Sequence, residues 1–257
     1  STSVITHIGA KPVFVDVLQD QNIDPNLIEK AITKKTKAIM PVHLTGRIAE
    51  MNEIMRISKK YGIPVIEDAA QSINSRYYEK KAGSFGEIGC LSAHPLKNLN
   101  ACGDSGFITT NNYSFFKKAL IMRNHGLTNR NLVKKFGFLS RMDVLQAAIL
   151  NYRIKNLNKT ISERRKNAKY YFNNLDRKKY ILIDEKKYQF NTYHTFVIQT
   201  KRRNELIKFL KRKGIGTAVH YPIPIHLQPA AKYLGYKKGS FPVAEKQSRS
   251  ILTLPIH

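Results

Sequence analysis

Two short apolar runs, each followed at once by side chains that can do chemistry, constrain the fold of this chain most. The run at residues 63–66 is apolar and β-branched, and it stops at two acids, Glu67 and Asp68. A second apolar run, at residues 88–93, is followed closely by Lys97. Compact apolar runs bounded by breakers predict buried strands. Polar residues at the carboxyl ends of such strands are placed for chemistry, so we expect an acid at one strand end and a lysine beyond another.

The first half of the chain alternates between strand and helix patterns. Strands are predicted at 13–17 and 37–42, and helices at 25–33, with Asp24 as the N-cap, and at 50–61. This rhythm is typical of a parallel sheet with right-handed crossovers. The first half therefore predicts the α/β class.

The second half of the chain changes pattern. Residues 141–175 are predicted to be mostly helical, with a break near 156–158 and a buried stripe at Met142, Leu145, Ile149 and Tyr152. Before this helix we predict a strand, a helix and a long functional loop, at 107–110, 113–124 and 127–140. After it, short strands and one helix predict a smaller α+β unit, at 180–184, 192–200, 204–213 and 215–221. We therefore expect a large domain at 1–150, and an interdomain helix with a small domain at 151–257.

Composition excludes several classes of protein. The chain has 257 residues, of which 42% are hydrophobic, so it can bury a large core, and no apolar run approaches the length of a membrane span. Two cysteines make a disulfide framework improbable and favour a cytoplasmic enzyme. The net charge of +26 comes from lysines spread over most of the chain rather than from one cluster, which argues against a nucleic-acid partner. The positive field would nevertheless attract a nucleotide diphosphate.

Several motifs resemble the DegT/DnrJ/EryC1/StrS family of sugar aminotransferases. They are EDAAQ at 67–71, GSFGEIG at 83–89 and S-x-H-P-x-K-N-L at 92–99, and the similarity runs from GAKPVFVDV at 9–17 to LPIH at 254–257. The resemblance implies pyridoxal 5'-phosphate (PLP) on the aspartate aminotransferase fold, also called fold type I. That fold has a mostly parallel sheet sandwiched by helices and a smaller C-terminal α+β domain. Relatives carry more sequence at both ends, so we expect a chain truncated at both termini.

Lys97 and Asp68 are the catalytic residues that the resemblance implies. An amine forms a Schiff base with an aldehyde only when it is unprotonated, so Lys97 needs a lowered pKa. A carboxylate at Asp68 would keep the pyridine nitrogen protonated, which makes the ring an electron sink. A helix N-cap is an equally common role for an aspartate after a strand, and the motif decides for the functional role.

The resemblance assigns weaker roles to six other residues. Gln71, Ser92 and Asn98 would contact the cofactor, and His220, Tyr221 and His43 would border the sugar site. No cluster of cysteine and histidine has the spacing of metal ligands, so no metal is expected. One departure is Leu139, which stands where relatives carry an asparagine that reaches the phosphate across a dimer interface.

The resemblance implies transfer of an amino group from an amino acid, with glutamate expected, to a nucleotide-activated ketosugar, through pyridoxamine phosphate (PMP). Gln71 leans towards a 3-ketosugar over a 4-ketosugar. A homodimer with shared sites and a role in surface polysaccharide or glycoconjugate synthesis are also implied. Two alternatives stay open: another PLP reaction on a sugar or keto-inositol, and a PLP-binding protein without catalysis.

Overall fold

The computed structural model describes residues 1–257 of the chain. Its helices are α1 (Thr2–His7), α2 (Pro25–Ala31), α3 (Met51–Tyr61), α4 (Tyr113–Met122), α5 (Val144–Arg153), α6 (Leu157–Asn174), α7 (Arg203–Arg212) and α8 (Pro242–Ser250). Its strands are β1 (Ile66–Asp68), β2 (Arg76–Tyr77), β3 (Lys80–Lys81), β4 (Ile88–Ser92), β5 (Gly106–Thr109), β6 (Leu127–Asn129), β7 (Leu132–Val133), β8 (Gln189–Phe190), β9 (Phe196–Gln199) and β10 (Ile251–Leu254). Short 3₁₀ turns occupy Leu44–Gly46, Ile154–Asn156, Ile225–Leu227 and Pro229–Leu234.

The sheet at the centre of the first half is mostly parallel, as predicted. Strand β1 runs parallel to β4, and β5 runs antiparallel on the far side of β4. On the other edge of β1, residues 39–42 lie parallel to it through bridges from Ile39 to Val65 and from Val42 to Asp68. The predicted strand at 37–42 is thus reduced to two bridges. The strand predicted at 63–66 is observed as β1 at Ile66–Asp68. Glu67 and Asp68 are therefore its last two residues and do not follow it.

Helices α2 and α3 follow the sequence signals closely. The Asp24 side chain accepts a hydrogen bond from the backbone N–H of Asn26 at 3.0 Å and caps α2, as predicted. Helix α3 buries Met51, Ile54 and Ile57 and ends at Gly62, whose φ of 63° is the left-handed conformation that favours glycine. Each buried side chain of this size stabilises the fold by about 1.5–3 kcal/mol. This face of α3 anchors the core beside β1.

The helical segment after residue 141 is broken at the 3₁₀ turn 154–156, close to the predicted break. The predicted buried stripe is wrong in part, because Leu145 and Tyr152 are 69% and 72% exposed. Instead Leu150, Leu157 and Ile161 are buried in a cluster with Ala93, Leu99 and Ala101. The turn shifts the helical phase, so the period of α5 does not continue into α6. The cluster lies directly beneath the turn that carries Lys97.

The second half of the chain forms its own core around an antiparallel pair. Strands β9 and β10 pair along their whole length, and their side chains pack with α6 and α7. The predicted strand at 192–200 contracts to β9, while those at 180–184 and 215–221 contract to single bridges at Ile181 and Ala218.

Two other expectations for irregular or extended segments were wrong in part. The predicted strand at 13–17 keeps only the bridge from Val17 to Ile23. The predicted long loop at 127–140 contains the hairpin formed by β6 and β7. No helix of the chain combines the length and the apolar character that crossing a membrane requires.

Candidate active site

A cavity of about 680 Å³ opens where β1 and β4 end. Its wall is assembled from distant parts of the chain: Leu44, Thr45, Gln71, Ser92, His94, Leu96, Lys97, Asp104, Ser105, Gly106, Ser140, Arg141, Met142, His194, Thr195, His220 and Tyr221. Five of the eight residues expected to form the site lie on this wall, namely Gln71, Ser92, Lys97, His220 and Tyr221. The other three lie next to it or behind it.

Lys97 projects from a tight turn that follows β4. Its backbone N–H donates to the carbonyl of His94 at 2.8 Å, which closes the turn and directs the side chain to the cavity. Burial lowers the pKa of the Lys97 amine, although the nearby charge of Asp68 opposes this shift. A lowered pKa increases the unprotonated fraction of the amine, which is the form that attacks a carbonyl.

Asp68 ends β1, and its side chain is 21% exposed. Its carboxylate accepts hydrogen bonds from the Ser1 hydroxyl at 2.5 Å and from the backbone N–H of Ala70 at 3.2 Å. The carboxylate is close enough to Lys97 for its charge to act on the amine. The acid and the lysine predicted at two strand ends are thus brought together.

Glu67 points to the opposite side of β1 and is fully buried. Its carboxylate accepts hydrogen bonds from the backbone N–H groups of Gly83, Phe85 and Gly86 at 2.6–2.8 Å. Burial alone would raise the pKa of Glu67, but the hydrogen bonds from His43, Gly86 and Gly83 outweigh it and lower the pKa. Glu67 therefore holds the 83–86 loop.

His43 is not a substrate-binding residue in this structure, contrary to expectation. Its ring is 0% exposed, and its Nε2 lies 2.9 Å from Glu67. The backbone N–H of Ala49 donates to its Nδ1 at 3.2 Å, so the ring is the tautomer that donates through Nε2. Both nitrogens are engaged within the core, and none remains for a ligand.

Gln71 presents a donor to the cavity. Its Oε1 accepts a hydrogen bond from the backbone N–H of Thr45 at 2.8 Å, so its Nε2 remains free. Ser92 ends β4, and its hydroxyl accepts a long bond from the His94 N–H at 3.3 Å. Asn98, expected near the cofactor, instead turns away and donates to the Thr192 carbonyl at 3.0 Å. That bond ties the Lys97 turn to the second half of the chain.

His220 and Tyr221 close the far side of the cavity. His220 Nδ1 lies 2.9 Å from the Thr253 hydroxyl, which orients the ring. Burial and then the charge of Lys97 lower the pKa of His220, so the ring is held neutral more strongly than a free histidine. Tyr221 is 58% exposed and lies at the cavity rim.

His194 and Thr195 are among the wall residues that sequence reasoning missed. They precede β9, and they reach the cavity only because their segment packs on the turn at 44–46. No sequence signal marks them, since a lone histidine beside a strand is an ordinary core residue. Leu139, the departure from the expected asparagine, is not on the wall, whereas its neighbours Ser140 and Arg141 are.

The wall suits the pyridine-aldehyde cofactor expected from the sequence. It offers an amine at Lys97 and a free amide donor at Gln71, and the carboxylate of Asp68 lies next to it. The Ser105 hydroxyl is buried on the wall without a hydrogen-bond partner, and Ser92 lies nearby, so hydroxyl donors for a phosphate are present. Arg141 and Lys97 make the cavity attractive to anions. The chain holds no group of three or more histidine, cysteine or acidic side chains that could bind a metal.

Comparisons with known proteins agree with this chemistry. A family model described as the DegT/DnrJ/EryC1/StrS aminotransferase family matches residues 1–257. A pleiotropic regulatory protein of Geobacillus stearothermophilus is 43% identical over 256 residues, which cover 98% of this chain and 69% of the relative. The UDP-2-acetamido-2-deoxy-3-oxo-D-glucuronate aminotransferase of Pseudomonas aeruginosa is 37% identical over 261 residues, covering 100% of this chain and 71% of the relative.

Solved structures of the same family are similar to this chain over nearly its whole length. DesV of S. venezuelae, in complex with a ketimine intermediate, superposes with a TM-score of 0.94 at 34% identity, covering 99% of this chain and 69% of that chain. A Streptococcus pneumoniae protein, solved in a PLP form, has a TM-score of 0.90 at 25% identity, covering 100% and 73%. The same protein has also been solved in a PMP form.

Proposed function

Because the chain belongs to the DegT/DnrJ/EryC1/StrS aminotransferase family, a family of PLP-dependent sugar aminotransferases, we propose that it moves an amino group from glutamate to a nucleotide-activated ketosugar. The observation that carries the proposal is that Lys97, with its lowered pKa, lies on the cavity wall within reach of the charge of Asp68. The free amide of Gln71 and the unpartnered hydroxyl of Ser105 also support the proposal, because they can donate to a cofactor.

PLP, when bound, supplies the electron sink and carries the amino group between the two substrates. Lys97 would hold the proton that moves between substrate and cofactor carbons, because its amine is the only lysine nitrogen on the wall. Asp68 would hold a proton on the ring nitrogen, and Gln71 Nε2 would donate to the ring oxygen. Ser92 would donate to the phosphate. His220 and Tyr221 would border the sugar.

For the acceptor we propose a 3-ketosugar linked to a nucleotide diphosphate. The amide at Gln71 was the sequence feature behind this preference, and the Pseudomonas aeruginosa relative is named for a 3-oxo UDP-sugar. The positive charge of the chain favours association with a diphosphate. We further propose a cytoplasmic enzyme of surface polysaccharide or glycoconjugate synthesis, with a cofactor domain at 1–150 and a helix with a small domain at 151–257.

We also propose a homodimer that covers the face around the hairpin of β6 and β7. This face exposes large apolar side chains, with Phe136 93% and Leu139 65% exposed, and it adjoins the wall residues Ser140 and Arg141. Exposed apolar patches of this kind mark interaction sites. Phe136→Lys should convert the dimer to a monomer in analytical ultracentrifugation. Tyr170, an exposed aromatic residue on α6, provides the control, and Tyr170→Lys should leave the dimer intact.

The test of the reaction is the absorbance spectrum of the purified protein with PLP, before and after glutamate. We expect a visible cofactor band in the wild type that glutamate removes, and no such band in Lys97→Ala. A band that requires Lys97 but survives glutamate would point to another donor or another PLP reaction. A wild type without any band would overturn the catalytic assignment and favour a binding or regulatory role.

A further inference from the structure

The cavity wall contains polar atoms that no part of the protein satisfies. His194 lies on the cavity wall, and its Nδ1 is buried inside the protein without a hydrogen-bond partner, as is the Oγ1 of Thr195. The other ring nitrogen of His194, Nε2, also has no partner in the protein, but it is accessible. Buried polar groups in folded proteins nearly always have a partner, and an unpartnered one destabilises the fold. Because Nδ1 is closed off, Nε2 is the ring nitrogen of His194 that a ligand in the cavity can complete.

The backbone of this segment is held firmly, so the two side chains are not free to find other partners. Arg164 donates through one nitrogen to the carbonyls of both Tyr193 and His194 at 3.1 Å. On the other side the segment lies against Gly46, where a Cβ would come within 2.7 Å of the Tyr193 nitrogen and 2.8 Å of the His194 nitrogen. Gly46, at a φ of 94°, is the residue that permits this approach.

The His194 ring is electrically neutral in the folded protein. Burial and, after it, the charges of Lys97, Arg164 and His220 together lower its pKa to about 3. A neutral imidazole offers one donor and one acceptor. It is a poor partner for a phosphate or a carboxylate, which favour a cationic ring, and a good partner for a hydroxyl group, which both donates and accepts.

We propose that His194 binds, through Nε2, a hydroxyl group of the sugar ring next to the carbon that receives the amino group. His194 lies on the same wall as Lys97 and His220, and it is close enough to both for their charges to act on its ring. The inference rests on the proposed function, since it names a residue that contacts the ketosugar acceptor of that reaction. The proposed contact involves the sugar part of the substrate only, and not the nucleotide.

The experiment compares sugar nucleotides with the bare nucleotides, so that only the sugar contact is measured. UDP-N-acetylglucosamine against UDP, and dTDP-glucose against dTDP, are titrated calorimetrically into PMP-loaded protein. We expect His194→Phe to weaken the better-binding sugar nucleotide about tenfold, the size of one hydrogen-bonded contact. Affinity for the matching nucleotide should change less than about twofold. His194→Asn, which keeps a neutral donor and acceptor, should restore most of the affinity.

Two further measurements separate binding from folding. His194→Phe should melt at or above the wild-type temperature, because it removes unpartnered polar atoms while keeping an aromatic ring. His7→Phe, an exposed histidine on α1, is the matched control and should change neither affinity.

The inference would be overturned if His194→Phe lost affinity equally for the sugar nucleotide and the nucleotide, or lost affinity for neither. So would sugar nucleotides that bind the wild type no more tightly than their nucleotides, or a His194→Phe variant that melts lower and loses cofactor. Failure of the proposed function is distinguishable, because it shows as a wild type without the glutamate-sensitive band.

Discussion

Two neighbouring acids at the end of β1 serve opposite sides of one sheet. Glu67 faces inward, is fully buried, and takes hydrogen bonds from His43 and from the 83–86 loop. Asp68 lies on the other side, next to the cavity, retains partial exposure, and acts on the Lys97 amine. The period of two along a strand separates them. An identical charge in adjacent positions therefore becomes a structural brace in one case and a candidate catalytic group in the other.

Glu67→Gln should have the largest effect, and it should fall on stability. An amide keeps only one of the two oxygens, so its N–H donors must oppose either Gly83 and His43, or Phe85 and Gly86. Breaking a buried charged network of this kind costs about 3–5 kcal/mol of the free energy of unfolding. Urea denaturation of the PLP-free protein measures it. A loss below 1 kcal/mol would show that the loop does not depend on Glu67.

Asp68→Asn, the same chemical change one residue later, should instead reduce activity. We expect amino transfer to fall about 10²–10³-fold, the size of losing one charge-stabilising group. The free energy of unfolding should remain within about 1 kcal/mol, since Asp68 accepts only two side-chain hydrogen bonds and lies partly exposed. Steady-state turnover and urea denaturation on one sample decide this. Equal effects of the two variants on stability would end the distinction between the faces.

The pH dependence of stability should carry the signature of Glu67. Its folded pKa lies below the ordinary value of 4.5, so its contribution is present above pH 4.5 and is lost as the pH falls through the folded pKa. Each unit of depression is worth about 1.4 kcal/mol. Urea denaturation from pH 3 to 7 should show a steeper acid loss in the wild type than in Glu67→Gln. Parallel curves would contradict the assignment.

Asp24→Ala should have the smallest effect, because Asp24 contacts neither Glu67 nor Asp68. The N-cap bond to Asn26 is worth about 1 kcal/mol of the free energy of unfolding. Turnover should equal that of the wild type in the same assay. A loss of activity would mean that α2 couples to the cavity, which no contact in the structure supports.

Residues that follow a strand pattern could be predicted from the sequence, while residues placed by packing between distant segments could not. Lys97, Asp68 and Ser92 stand at or just beyond strand ends, so local pattern and motif located them. His43 stands after a strand pattern too, but its ring turns inward to Glu67, and sequence alone does not say which way a side chain turns. His194 reaches the wall only through the contact of its backbone with Gly46. Leu145 and Tyr152 have the spacing of a buried stripe, but α5 packs through Leu150 instead, because helical spacing alone does not say which side the neighbouring segments cover.

The composition of the cavity wall links ligand binding to folding. Wall residues come from position 44 to position 221, so no local segment of the chain can assemble the site by itself. A ligand held there binds the native state and not the unfolded chain. At a free concentration one hundred times its dissociation constant, such a ligand adds about 2.7 kcal/mol to the free energy of unfolding. The thermal stability of this protein therefore becomes a measure of how much of its cofactor is bound.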